Sequence, residues 1–317
     1  MRNCGPCSDV CPFWKRQDSR MIEVRELIKD YGPTRAVNQL SFTAQPGMVT
    51  GIVGPRGSGK STTLRIILGL DVPTSGTALV KDHGHATMQR PTQTVGALLE
   101  RQGVHGECSA ADYLRHQARS KGIGPRRVAE VLDQVELSDI AGQQIGELSL
   151  DTRQRLGIAG ALLGDPGVLL FDDPMRGLDP EGMLCIRDLV QSLADQGRTV
   201  LLSSQNLKEM ALTADELLII RRGELVMQAS ASELIERCQR DVFVRSPRRG
   251  GLSRVLTNIG ATVRVEDDGG LSVTGIDAWR IASTAAEHHI PIQELTPRSA
   301  SLETFYRNLT TQTAPNN

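Results

Sequence analysis

The stretch that most limits what this chain can become is GPRGSGKST, residues 54–62. It fits the pattern G-x-x-x-x-G-K-[ST], and it lies between the strand-like run VTGIVG and the helix-like run TTLRIILGL. A strand, a glycine-rich loop and a helix in that order make a phosphate cradle. Gly54, Gly57 and Gly59 let backbone N–H groups curl around phosphate oxygens, and the helix start adds the positive end of its dipole. Arg56, Ser58 and Thr62 belong to the same binding segment. Lys60 is expected to reach the β and γ phosphates, and Ser61 to offer a hydroxyl to Mg²⁺.

The second half of such a site is VLLFDD, residues 168–173. An apolar strand there delivers Asp172 to the metal shell and aims Asp173 at the space an attacking water would occupy. An acidic pair that merely caps a loop is the plainer reading. Around these two motifs, from Met21 to about 225, strand-like runs (VTGIVG, GVLLFDD, TVLLSS, ELLIIRR) alternate with helical stretches, which predicts an α/β fold with a largely parallel sheet. Helical periodicity takes over between about 96 and 150 and predicts a helical subdomain. After about 240 the runs VFVRS, SRVLTNIG, TVRVEDDGG, LSVTG, DAWRIASTAAEHH, IPIQEL and SLETFYRNL predict β-α-β-β-α-β and a last helix, a ferredoxin-like α+β module. The expected division is therefore a tail over 1–20, one domain over 21–239 and a second over 240–317, in keeping with 317 residues.

Charge and cysteines narrow the setting. A net charge of −1 points to neither nucleic acid nor an anionic membrane surface as the main partner. No apolar run approaches the roughly 18 residues a membrane span needs, and no apolar stretch follows the basic residues at the start. Six cysteines are too few for a disulfide scaffold in a chain of this size, so Cys108, Cys185 and Cys238 read as reduced. Cys4, Cys7 and Cys11 have ligand-like spacing, but three thiolates fall short of a four-ligand site, and CGPC lacks the flanking strand and helix of a redox pair. The first 20 residues read as a disordered tail, or as an extension ahead of a start at Met21. His83 and His85 read as surface residues, His288 and His289 as the end of a helix, and SPRRGG and IIRRGE as solvated loops.

The P-loop, the LS…RQR segment at 148–155, the GLDP run at 177–180 and SSQ at 203–205 together resemble the nucleotide-binding subunit of an ABC transporter, of the drug-exporter, daunorubicin-resistance type. The likeness runs from Met21 to about Thr310. It implies ATP and Mg²⁺ as ligands, a second nucleotide-binding subunit as homodimer or heterodimer partner, a separately encoded permease, and a place at the inner face of the cell membrane. Carried over by position, Tyr31 is the aromatic that stacks on adenine. Glu100 stands where a glutamine usually touches Mg²⁺, and Asp179 is the aspartate that crosses between subunits. The family's signature, LSGGQ, is read here as Leu148, Ser149, Leu150, Asp151 and Thr152.

Asp151 is the sharpest departure. In a closed head-to-tail dimer it would face the partner's terminal phosphate, and two unit charges about 4 Å apart at an effective dielectric near 20 repel by roughly 4 kcal/mol. One or two hydrogen bonds to a charged group return about 1.5 to 3 kcal/mol each, so repulsion wins or nearly cancels. The same residue suits the first turn of its own helix, where it pairs with Arg155 at i+4. Asp173 stands in place of a water-orienting glutamate and is one methylene shorter; Gln205 stands in place of a histidine and carries no proton charge. The expectation is tight Mg·ATP binding with weak or partner-dependent hydrolysis. An ATP-dependent regulatory sensor is the alternative.

Overall fold

The computed structural model describes residues 22–84, 88, 91–99, 106–239, 241–266 and 269–298. The expectations for the Cys4/Cys7/Cys11 tail, Met21, His85, Glu100 and the helix over SLETFYRNL lie outside those residues. The described residues form two compact units, one of residues 22–205 and 213–228, the other of 206–212 and 229–298.

In chain order the first stretch holds β1 (Ile22–Tyr31), β2 (Thr34–Ala44), β3 (Val49–Val53), α1 (Lys60–Ile67), β4 (Ser75–Val80), α2 (Pro91–Thr94) and β5 (Val95–Leu98). Then come α3 (Ala110–Ser120), α4 (Pro125–Gln134), α5 (Leu150–Leu162), β6 (Val168–Asp172), α6 (Pro180–Asp195), β7 (Thr199–Ser204), α7 (Leu207–Thr213), β8 (Glu216–Arg221) and β9 (Glu224–Ser230). Two sheets result. One is antiparallel, in the order β2-β1-β4, and was not foreshadowed by the βα alternation. The other runs β5-β6-β7-β3-β8-β9, and its pairs from β5 to β8 are parallel.

Strands β3, β6 and β7 are buried along their whole length, which is why they read as unbroken apolar runs rather than alternating ones. Their register matters for function. Val53 pairs with Ser204 and Asp172 with Ser203, so the P-loop after β3, the acidic pair after β6 and the serines of β7 all emerge at one edge of the sheet. Ligands of parallel sheets gather at such carboxyl ends. Behind that edge, Ile22, Leu27 and Leu40 of the antiparallel sheet pack in one core with Ile52, Leu170, Leu201 and Leu218 of the parallel sheet and with Leu64 and Ile67 of α1.

The helical subdomain starts later than its predicted boundary of 96. Residues 95–98 are β5, paired in parallel with β6. VGAL is short and has a single β-branched residue, so its strand character shows only against a neighbour. Gly96 is small because a Cβ there would meet Pro166 at 2.7 Å. The helices that follow are locally specified. Ser109 caps α3 by accepting from the Asp112 N–H, α4 opens with a proline, and Arg127 of α4 donates to the Leu162 carbonyl at the end of α5 at 2.9 Å.

The second unit contains α8 (Ala231–Gln239), β10 (Asp241–Arg245), α9 (Arg249–Asn258), β11 (Thr262–Val265), β12 (Leu271–Thr274), α10 (Ala278–Glu287) and β13 (Glu294–Arg298). Its sheet is antiparallel throughout, in the order β11-β12-β10-β13, and Val242, Val244, Leu271 and Val273 share a core with Leu252, Leu256, Ile281 and Ala285 of the two helices. It takes in α8, which a boundary at 240 leaves with the first domain. The last strand falls four residues beyond the start of the predicted IPIQEL and includes Pro297, tolerated because β13 is an edge strand.

Candidate functional site

The P-loop is held open by its glycines. Gly57 and Gly59 adopt φ of 79° and 100°, and a Cβ on Gly59 would come within 2.5 Å of the Ala36 carbonyl oxygen. Gly59 caps α1 without a side chain, so the first backbone N–H groups of that helix face the loop. Lys60 Nζ donates to the carbonyls of Gly54 at 2.7 Å and Pro55 at 2.9 Å, laying its ammonium across the cradle. The hydroxyl of Ser58 is buried and has no hydrogen-bond partner among the described residues. Arg56, Gly57, Gly59, Lys60, Ser61 and Thr62 line a cleft of about 260 Å³, completed by Tyr31, Ala36, Asp172, Asp173, Arg176 and Gln205.

The acidic edge is built by β6 and β7. Asp172 is buried and accepts from the Ser203 hydroxyl. Asp173 turns the chain in the left-handed region at φ 51°, with its N–H shared between the backbone and side-chain oxygens of Ser203 at 3.1 Å each. Aspartate visits that region more readily than glutamate, which gives the shorter side chain a local reason to be there. Burial pushes the Asp173 carboxyl up, helped by the charge of Asp172. The Gln205 amide, 3.4 Å away, and the charges of Arg176 and Lys60 pull the other way.

Tyr31, at the end of β1, is not a core residue; it is 46% exposed. Its hydroxyl donates to Asp71 at 2.8 Å, and Asp71 also takes Arg65 Nε at 2.8 Å. Burial and then the bond to Asp71 raise the phenol, while Arg65 holds the Asp71 carboxyl low. Lys29 lies 4.8 Å from the ring centroid. The ring is thereby fixed beside the cleft, as a base platform has to be.

Ser149, Asp151 and Asp179 come together elsewhere, and none of the three lines the cleft. Ser149 caps α5, and its hydroxyl donates to the Asp151 carboxylate. The other carboxylate oxygen pairs with Arg155 at 3.2 Å, the predicted i+4 partner. The Ser149 hydroxyl foremost, with the Thr152 N–H and Arg155, holds the Asp151 carboxyl low against its burial. Asp179 caps α6 by accepting from the Gly182 N–H at 2.7 Å. A Cβ on Gly182 would stand 3.0 Å from that of Asp151, so the two helix starts abut through a glycine.

For Mg²⁺ the described residues supply Ser61 and Asp172 at the cleft; Glu100 lies outside them, and no group of three or more His, Cys, Asp or Glu is gathered among them. That donor set fits Mg²⁺, which takes one or two carboxylates and completes its shell with phosphate oxygens and water. Sequence reasoning missed Arg176 and Ser203. Arg176 lies three residues beyond Asp173, and its N–H closes a turn onto the Asp173 carbonyl at 3.2 Å, but its residue type alone does not announce the cleft. The role of Ser203 depends on strand register, which no local pattern shows. No helix among the described residues is long and apolar enough to cross a membrane.

A family model described as ABC transporter matches residues 37–176, and one for a domain of unknown function matches residues 240–303. Over 308 residues the chain is 30% identical to the daunorubicin/doxorubicin resistance ATP-binding protein of Streptomyces peucetius, covering 93% of each. It is 34% identical to the bacitracin transport ATP-binding protein of Bacillus licheniformis, over 69% of this chain and 72% of that one. A dimeric ATP-binding cassette solved in a post-hydrolysis state with ADP and Pi shares the fold at TM-score 0.60 and 23% identity, over 66% of this chain and 98% of that structure.

Proposed function

Because the chain belongs to the ABC transporter ATP-binding family, we propose that it is the ATP-binding subunit of an exporter-type complex. It binds Mg·ATP and dimerises to drive or gate a separate permease at the inner face of the membrane. One observation carries this: the P-loop, Asp172 and Tyr31, distant in sequence, line a single cleft. In this reading Tyr31 stacks on the base, Lys60 and the P-loop amides hold the phosphates, and Ser61 and Asp172 hold the metal. The exporter direction follows the resistance and transport relatives.

Hydrolysis by the chain alone is weak in this reading. Asp173 is short, Gln205 is neutral, and the signature serine is engaged by Asp151. A homodimer sets Asp151 against both nucleotides; pairing with a second, LSGGQ-bearing chain keeps some hydrolysis, its signature serving this P-loop while Asp151 faces the partner's. The test measures Mg·ATP affinity and phosphate release on the same purified chain. Micromolar binding with slow release is expected, and brisk turnover by the lone chain would sink the idea. The engaged signature serine also favours an ATP-dependent sensor, in which association itself is the output. Co-purification separates the two, a multi-span permease supporting transport and a soluble partner supporting the sensor. We read the second unit as a ferredoxin-like module, a reading its antiparallel order β11-β12-β10-β13 supports, and infer that it steadies the dimer.

A further inference from the structure

The cleft is also lined by a cation that belongs to neither the P-loop nor the acidic pair, Arg176. Arg176 stands at the end of the turn that begins at Asp173. Its backbone N–H donates to the Asp173 carbonyl, and Gly177 next to it, at φ 75°, swings the chain away. That geometry sets the Arg176 side chain on the Asp173 side of the cleft, where it shares the lining with Lys60, Ser61, Asp172 and Gln205. The P-loop grips phosphate from the other side. The neighbours along the acidic side are two carboxylates and a neutral amide, so a terminal phosphate arriving there finds Arg176 as the cation that joins Lys60 of the P-loop.

We propose that Arg176 binds the terminal phosphate of a nucleoside triphosphate in cis, from the Asp173 side of the cleft, and so makes the site discriminate triphosphate from diphosphate. This rests on reading the cleft as the nucleotide site. A guanidinium suits the task because its planar fork takes two phosphate oxygens at once and stays charged at any working pH. It also answers the local electrostatics. The charges of Arg176 and Lys60 both act on the Asp173 carboxyl, and the two residues line the same cleft, so a phosphate arriving beside Asp173 meets both cations. A triphosphate reaches Arg176, whereas a diphosphate ends short of it.

The full-length chain and its Arg176→Ala and Arg176→Lys variants are compared for binding of Mg·ATP and Mg·ADP by titration calorimetry. One charge-assisted contact is worth roughly a ten- to hundredfold change in affinity. Arg176→Ala is expected to lose about that much for ATP while ADP stays within about twofold, the retained ADP showing that the pocket is folded. Arg176→Lys, keeping the charge without the fork, should recover part of the loss. Equal losses for ATP and ADP in both variants, or no loss for either nucleotide, overturn the proposal while wild-type binding leaves the nucleotide reading standing. A wild-type chain that binds neither nucleotide overturns both.

Discussion

Asp151 and Asp173 are two acidic residues in places where the family pattern has something else, and their surroundings differ in kind. Asp151 is satisfied from all sides, by the Ser149 hydroxyl, the Thr152 N–H and the Arg155 guanidinium, and its carboxyl is held low. Asp173 is half-buried in the cleft, meets a long contact from Gln205, and its carboxyl is pushed up by burial. The first is the chemistry of a stabilised helix start. The second is a carboxyl perturbed by burial in a cleft, the kind of group that gathers at functional sites. The difference teaches that a departure from a motif is not one thing: one here serves the local fold, the other a backbone turn at the site.

The widest separation between phosphate holding and turnover comes from Lys60, whose ammonium spans the loop between Gly54 and Pro55. Lys60→Ala is expected to weaken Mg·ATP binding by about a hundredfold or more, since charged hydrogen bonds contribute about 1.5 to 3 kcal/mol each. Retained micromolar affinity in calorimetry would show that the grip lies elsewhere. Next in size is Asp173→Glu. The longer carboxylate restores reach, and phosphate release should rise on the order of tenfold. The same change should lower the urea-unfolding stability by about 0.5 to 1 kcal/mol, because glutamate is the poorer residue at φ 51°. Faster release without the stability loss would mean that the backbone turn had not set the residue.

Much of this was legible before any coordinates. A glycine-rich loop between an apolar strand and a helix announces itself because its chemistry is local, and so does the Asp151–Arg155 pair, four residues apart on one helix. What stayed hidden depends on distant chain segments meeting. The β2-β1-β4 sheet, the strand character of Val95–Leu98 and the hold of Ser203 on Asp172 arise from pairing and register, which no window of ten residues contains. Arg176 lay between these cases. Its proximity to Asp173 follows from a short turn, but nothing in the residue type announces that the turn closes over a cleft.

Asp151→Gly tests the stabilising side of the comparison. It removes the Arg155 pair and the Ser149 bond and places glycine in the first turn of α5, so stability should fall by about 1 kcal/mol. If the signature serine is restrained by Asp151, phosphate release by the variant should rise even as its urea midpoint drops. A midpoint that stays put would reduce the carboxylate to a bystander at the helix start.

The finest test is in the sign of pH dependence. A carboxyl raised in the folded state penalises folding once pH exceeds its value in the unfolded chain, so Asp173→Asn should be more stable than wild type near neutrality. That advantage should shrink as pH falls toward the ordinary carboxylate range, where both folded and unfolded wild type take up the proton. Asp151 is lowered, so its contribution is present above the unfolded value and is lost only as pH falls through its lower folded value. Asp151→Asn should therefore be less stable at neutrality, with the deficit closing only in acid. Thermal midpoints of the two variants, each plotted as a difference from wild type between pH 4 and 8, should lie on opposite sides of zero. Two differences of the same sign would mean that the carboxylates share one environment, and the contrast between a settled helix start and a perturbed carboxyl in the cleft would be lost.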